Sequence, residues 1–180
     1  MTEDLAVKFN ALQSALFKDM EEALRRRELA SIATLLKQGA HVNQTDYGRN
    51  TPLIVAAIKG DVALARLAIS RNADLERANQ NGDTALMLAV MNRQADVVRA
   101  LIDAGADIHK VNTAYIYGRR TAINYAEERG HEEILQMLKE AVGNSKRAAT
   151  AKTQHDIVVI KQRAMKEMAR RRKVEIGPAP

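Results

Sequence analysis

The stretch from Asn79 to Asn112 reads NQNGDTALMLAVMNRQADVVRALIDAGADIHKVN and carries the pattern on which the chain is built. It contains two short apolar segments, at 86–90 and at 97–102 without Arg99. A polar turn precedes the first segment, and Gly105-Ala106-Asp107-Ile108 closes the second. Apolar runs of this length between turn residues predict a unit ordered as turn, helix, turn, helix and glycine loop.

The same unit recurs at a fixed period along the chain. A shift that places Thr84 on Thr51 also places the glycine motif at 105–108 on Asn72-Ala73-Asp74-Leu75. A second shift of the same size places it on Gly39-Ala40-His41-Val42. A repeat of this kind predicts a stack in which each unit buries its apolar face against its neighbours.

A fourth copy starts at Thr121. The distance from Thr84 to Thr121 is longer than one period of the repeat. The sequence therefore predicts that four residues are inserted within 110–120, which makes the loop before the fourth copy longer than the others. Two of the four tyrosines of the protein, Tyr115 and Tyr117, lie in this loop.

Thr51-Pro52-Leu53 and the glycine motif at 105–108 resemble the ankyrin repeat, whose period is about 33 residues and whose first helix opens with Thr-Pro-Leu-His. The resemblance covers about residues 18–140. It implies an all-α ankyrin-repeat solenoid, made of helix-turn-helix repeats with hairpin loops. It also implies a function in binding other proteins.

Two departures from the family pattern bear on stability. The histidine of the family motif is replaced by Ile54, Met87 and Asn124, so the sequence predicts that stability rests more on packing than on that histidine's hydrogen bonds. Arg93 stands where Gly60 lies one repeat earlier. Ankyrin repeats usually carry glycine in this turn between helices, so mild backbone strain is expected at Arg93.

The repeat register also predicts the division of the chain. The expected segments are an N-terminal helical extension at 1–17, an ankyrin-repeat domain at 18–142, a linker at 143–153, a basic amphipathic helix at 154–173 and a disordered end at 174–180. The four expected repeats span about 18–46, 47–79, 80–116 and 117–142, and the first is degenerate. Terminal repeats are expected to be atypical because one of their faces meets water.

The sequence argues against several classes of protein. It holds no cysteine, which excludes disulfides and thiolate chemistry and fits a cytoplasmic protein. The four histidines lack the spacing of a metal site, and no nucleophile or phosphate-binding motif is present. No catalytic residue, metal site or cofactor is therefore expected, nor a membrane span, because no apolar run is long enough.

The ankyrin resemblance implies binding through the concave face of the first helices and through the loop tips. The candidate partner-binding residues on the helices are Val55, Ile58, Leu88, Met91 and Tyr125. Those at the tips are Tyr47, Arg49, Tyr115, Tyr117, Arg119 and Arg120, of the residue types that dominate interface energies. The alternatives are that the helix residues only pack between repeats and that the tyrosine loop folds back on itself.

The positive charge of the protein lies in its tail. Residues 141–180 hold ten lysines and arginines against three acidic residues, whereas residues 1–140 hold eighteen against nineteen. The tail is expected to form an accessory contact with a partner or with its own repeats, through Ile157, Ile160, Met168, Arg170, Arg171 and Arg172. Binding of nucleic acid, contact with an anionic membrane and solvated disorder are the alternatives.

These features together predict a protein-binding scaffold or adaptor of unknown partner. One alternative is a nucleic-acid-associated adaptor that uses the basic tail, although the tail lacks aromatic residues and could contact only phosphates. Another is a secreted bacterial effector, since some effectors carry ankyrin repeats and a basic export signal resembling Arg170-Arg171-Arg172-Lys173.

Overall fold

A computed structural model describes residues 2–112, 114, 119–145 and 159–163, with only the backbone at residues 2–5. Its helices are α1 (Thr2–Arg26), α2 (Leu29–Lys37), α3 (Pro52–Lys59), α4 (Val62–Ser70), α5 (Ala85–Met91), α6 (Ala95–Asp103), α7 (Ala122–Glu128) and α8 (residues 132–145). Residues 159–163 are also helical, and no strand occurs within these ranges. The chain divides into two units, Met1–Lys139 and Glu140–Pro180.

Each repeat contributes two helices to the first unit. We call the first helix of each repeat inner, which applies to α3, α5, α7 and the C-terminal end of α1, and the second helix outer. Inner helices pack on one another from α3 to α5 to α7, and outer helices from α2 to α4 to α6. Aliphatic side chains fill the space between them, and Ile54 and Met87, at the positions of the family histidine, are 1% exposed.

Threonine caps the start of three inner helices. The Thr51 hydroxyl accepts a hydrogen bond from the Ile54 N–H at 3.2 Å, and Pro52 occupies the first helical turn, where its missing N–H is not needed. The Thr84 hydroxyl caps α5 in the same way, and Thr121 forms a reciprocal capping box with Asn124. The predicted cap at Thr51 is confirmed.

The turn between inner and outer helix requires a left-handed residue in every repeat. Gly60 and Gly130 supply it with φ of 74° and 64°, but Arg27 and Arg93 adopt φ of 55° and 56° at the equivalent positions. A side chain makes this conformation unfavourable by about 1–2 kcal/mol. The expected strain at Arg93 is confirmed, and Arg27 shares it.

Polar groups also link the repeats, at positions other than the family histidine. The Asp74 N–H donates to Asn43 Oδ1 at 2.9 Å, and the Asp107 N–H donates to Glu76 Oε1 at 2.7 Å, one repeat later. The Arg71 guanidinium donates to the carbonyl at the end of α2 at 2.6 Å. Stability therefore rests on both packing and these links, so the emphasis on packing in the sequence prediction is incomplete.

Three loops, here called fingers, precede α3, α5 and α7 and are each closed by a backbone hydrogen bond. The closing bonds join Asp46 to Asn50 at 3.2 Å, Asn79 to Asp83 at 3.0 Å and Asn112 to Arg120 at 2.8 Å. The third finger therefore spans four more residues than the others between its closing positions. This confirms the predicted insertion and places it between Asn112 and Arg120.

One predicted boundary differs from the structure. The helical extension at 1–17 runs directly into the first inner helix, and both lie in one continuous helix, α1, which no turn residue interrupts. Residues 143–145 continue α8 and are not part of a linker, since a single glycine weakens a helix by only about 1 kcal/mol. Of the predicted helix at 154–173, only 159–163 lies within the described residues, and these are helical.

Candidate functional site

The inner helices present equivalent positions in three rows, each with one residue from every repeat. The first row is Glu22, Val55, Leu88 and Tyr125; the second is Arg25, Ile58, Met91 and Glu128; the third is Arg26, Lys59, Asn92 and Arg129. Every member of the second and third rows is exposed or half-buried. We call these two rows, together with the finger residues Tyr47 and Arg49, the inner-helix face.

The first row does not belong to this face. Val55, Leu88 and Tyr125 are 0%, 8% and 4% exposed, so their predicted place in an exposed binding stripe is wrong. Because α3, α5 and α7 pack directly on one another, these three residues lie between the helices, whereas Glu22 of the same row is half-buried. The alternative that these side chains only pack between repeats fits Val55 and Leu88, whereas Tyr125 packs and also donates a hydrogen bond to Asp83.

Ile58 and Met91 remain on the inner-helix face as its apolar centre. They lie at equivalent positions of α3 and α5, and both are half-buried. Their neighbours Lys59 and Asn92 are exposed, and the Asn92 amide donates to the Leu88 carbonyl at 2.8 Å. The centre thus offers two apolar side chains side by side.

The N-terminal end of the face is basic. Arg25 makes two hydrogen bonds to the Glu22 carboxylate, at 2.8 and 2.6 Å, and Arg26 makes a third. The hydrogen bond from Arg25 is the main cause that lowers the pKa of Glu22, and the same contact raises the pKa of Arg25. Arg26 also lies 3.8 Å from the Glu28 carboxylate, so two carboxylates match these two guanidinium groups, and the exposed Arg49 of the first finger gives this end its net positive charge.

The first finger places Tyr47 and Arg49 beside this basic end. Tyr47 is 84% exposed, and its phenol lies near enough to Arg25 to contribute to the raised pKa of that guanidinium. Arg49 is exposed and adopts φ of 60°, the left-handed conformation that Gly82 adopts at the same position one repeat later. The predicted tip residues Tyr47 and Arg49 are thus accessible.

A buried polar cluster joins the second and third fingers. The Tyr125 hydroxyl donates to Asp83 Oδ1 at 3.1 Å, and the Asn112 amide donates both to that oxygen and to the Asn81 carbonyl. Asp83, Asn112 and Tyr125 are all at most 4% exposed. Burial first, and then the charge of Asp83, raises the pKa of Tyr125 to about 12, which keeps the phenol a neutral donor.

Arg120 stands over this cluster. Its guanidinium lies 6.0 Å from the centre of the Tyr125 ring and 3.1 Å from the Glu128 carboxylate. Arg120 is therefore occupied within the chain, whereas Arg119 beside it is exposed. The other predicted residues of this finger, Tyr115 and Tyr117, lie outside the described residues.

Among the predicted tail contacts, only Ile160 can be placed, and it is 64% exposed. The others lie outside the described residues: Ile157, Met168, Arg170, Arg171 and Arg172. They remain predictions.

The N-terminal half of α1 exposes apolar side chains that the sequence prediction did not treat as a surface. Val7, Phe9, Leu12 and Phe17 are between 56% and 63% exposed. Phe9 and Leu12 continue the helical stripe of Leu16, which is buried. The period of the stripe was visible in the sequence, but where its burial stops depends on the neighbouring helices.

The described ranges contain neither a metal-binding cluster nor a membrane-spanning helix. No group of three or more histidine and acidic side chains there could hold a metal ion. No described helix is both long and apolar enough to cross a bilayer. What the described surface offers is a set of apolar, tyrosine and arginine side chains, which suits recognition of another molecule.

Comparison with known families agrees with this geometry. The model of ankyrin repeats (3 copies) matches residues 20–112, from the end of α1 to the base of the third finger. No curated protein matches the chain. The family match covers more than half of the 180 residues and coincides with the observed period of caps, turns and fingers. The chain therefore belongs to the ankyrin-repeat family.

Proposed function

We propose that this protein is a scaffold that binds a protein partner on the inner-helix face and the finger tips. Ankyrin repeats are generally protein-interaction scaffolds and typically not enzymes. Which surface of this chain is used, and by what, is our proposal. We also propose a cytoplasmic location, which the lack of cysteine favours.

The observation that carries the proposal is the pairing of Ile58 and Met91. Both occupy the second row, where the flanking repeats have the charged residues Arg25 and Glu128. Apolar side chains at adjacent positions of a surface contribute binding energy when a partner removes them from water, at about 25 cal/mol per Å². Tyr47 and Arg49 supply residue types that often dominate such interfaces.

The third finger and the tail would extend this surface. Arg119 is exposed next to the four-residue insertion, and we propose that it contacts the partner together with Tyr115 and Tyr117. We propose the basic tail as an accessory contact. We propose that Arg120 contributes less to partner binding, because its guanidinium is already paired with Glu128.

A paired substitution tests whether the inner-helix face binds. Crosslinking and mass spectrometry in native cell extract would compare the full chain with Ile58→Ser plus Met91→Ser. The matched control is Ile69→Ser plus Ile102→Ser, which changes two half-buried residues one repeat apart on the outer helices α4 and α6. We expect the first pair to lose crosslinked partners that the control retains. Equal recovery from both would contradict the proposal.

The concentration of positive charge in the tail favours one other function, binding of nucleic acid. If the tail bound phosphates, affinity for DNA or RNA would fall steeply with salt because counterions are released on binding. Replacing Arg170, Arg171 and Arg172 by Gln in the full chain would then reduce both the affinity and its salt dependence. Binding that is absent, or unaffected by salt and by these changes, excludes this function.

A further inference from the structure

We propose that the inner-helix face selects an acidic partner segment, in which an Asp or Glu lies a few positions away from apolar residues. This inference rests on the proposed function and adds the chemistry of the partner and the direction in which its segment lies. It follows from how charge is distributed between the first and last repeats.

The first two repeats present positive charge without enough acids to balance it. Glu22 is engaged by both Arg25 and Arg26, and Glu28 lies 3.8 Å from Arg26, so two carboxylates match these two arginines. The excess positive charge lies on Arg49 and Lys59, which are exposed and form no ion pair with any residue in the described part of the chain. A carboxylate from a partner would meet the Arg49 guanidinium, which can bind it through paired hydrogen bonds, next to the exposed Tyr47 ring.

In the last repeat, two of the basic side chains are already paired with acidic side chains. Arg120 pairs with Glu128 at 3.1 Å, and Lys139 lies 3.8 Å from Glu127. The Arg129 guanidinium donates to the Met91 carbonyl at 3.3 Å. Acidic groups of a partner are therefore drawn to the first two repeats more than to the fourth, and this difference defines a direction along the face.

The centre of the face separates a protein partner from a nucleic acid. Ile58, Met91 and Asn92 carry no charge, and the cations beside them, Lys59 and Arg129, lie in the third row alone. A nucleic acid strand has a phosphate at every nucleotide and gains affinity from each cation that neutralises one. A segment that carries an acid at one end and apolar side chains at the other fits a surface that is basic at one end and has two apolar side chains in the middle.

The spacing of the helices suggests the pattern of the segment. Packed helices lie about 8–10 Å apart, and a segment in the polyproline II conformation has three residues per turn and advances about 3.1 Å per residue. Side chains that contact Ile58 and Met91 from one face of such a segment would therefore lie about three residues apart. The acidic residue would lie on the side of Ile58 that faces Arg49 and Arg25.

Selection from a library of random peptides displayed on phage tests this inference with the full chain as bait. We expect the selected peptides to be rich in Asp and Glu, with apolar residues a few positions away. Arg49→Glu plus Lys59→Glu should lower the affinity of a selected peptide by about tenfold or more. The matched control, Lys37→Glu plus Arg66→Glu, makes the same change of net charge at exposed positions of α2 and α4 and should leave it unchanged.

The outcomes separate this inference from the function on which it rests. Selected peptides without an excess of acids, or acidic peptides insensitive to Arg49→Glu plus Lys59→Glu, would overturn the acidic preference. If Ile58→Ser plus Met91→Ser still lowered the affinity for those peptides, the proposed binding face would stand. Selection of no peptide, or peptides insensitive to both pairs, contradicts both. Single-stranded DNA that binds more tightly than every selected peptide would also overturn the acidic preference.

Discussion

Tyr125→Phe removes one hydroxyl from the buried cluster that joins the second and third fingers. That hydroxyl donates to Asp83 Oδ1 at 3.1 Å, and both residues are 4% exposed. Phenylalanine keeps the ring and its packing, including its place beneath Arg120. The substitution therefore isolates the hydrogen bond to a buried carboxylate.

The expected loss of stability depends on the hydrogen bond that Asp83 retains. A hydrogen bond to a charged group contributes about 1.5–3 kcal/mol to stability. Because Asn112 still donates to the same oxygen, we expect the lower part of that range, about 1.5–2 kcal/mol. For a protein of this size, that corresponds to a fall in Tm of about 3–8 °C.

Urea unfolding followed by circular dichroism measures this loss, with Tyr47→Phe as the matched control. Tyr47 is 84% exposed and its hydroxyl donates no hydrogen bond to any residue that the structure describes, so its variant should unfold like the parent protein. A double-mutant cycle with Asp83→Ala should show that the two changes are not additive. A loss below about 0.5 kcal/mol, or full additivity, would refute the cluster as a stabilising contact.

The same variant has a pH signature. Folding raises the pKa of Tyr125 from 10.0 to about 12, so the folded state favours the protonated phenol. This contribution is fully present below about pH 10 and is lost as the pH rises towards about 12. The stability difference between the parent protein and Tyr125→Phe should therefore shrink over that interval. A difference that stays constant would contradict the assigned environment of the phenol.

Four further variants test the fold by the same unfolding assay. Thr51→Ala removes the cap of α3 and should cost about 1 kcal/mol, whereas no loss would mean that the cap bond is not formed. Arg93→Gly should raise stability by about 1 kcal/mol because it relieves a side chain at φ of 56°, and a destabilised variant would contradict the strain. Phe9→Ser plus Leu12→Ser should change stability by less than about 0.5 kcal/mol because both residues are exposed, but Leu16→Ala should cost about 2–5 kcal/mol. A large loss of stability in the Phe9→Ser plus Leu12→Ser variant would show that this part of α1 is covered.

Much of the fold could be predicted because the repeat makes local signals recur. The Thr51 cap, the left-handed position at Arg93 and the longer third finger all followed from comparison of one repeat with the next. These features depend on a residue and its near neighbours in the chain. The predictions for the site were less successful. Ile58 and Met91 lie on the surface as expected, but Val55, Leu88 and Tyr125 do not.

The sequence alone determined the period, the order of helices and turns, and the membership of the family, because each depends on residues close together in the chain. Only the tertiary structure decided which row of the inner helices is covered and which acids balance which bases. Position 125 shows the difference: its tyrosine has the residue type of an interface contact, but packing of α7 on α5 and the carboxylate of Asp83 make it part of the core. Burial of a side chain is set by the neighbouring helix, and that helix belongs to another repeat, which is distant in the sequence.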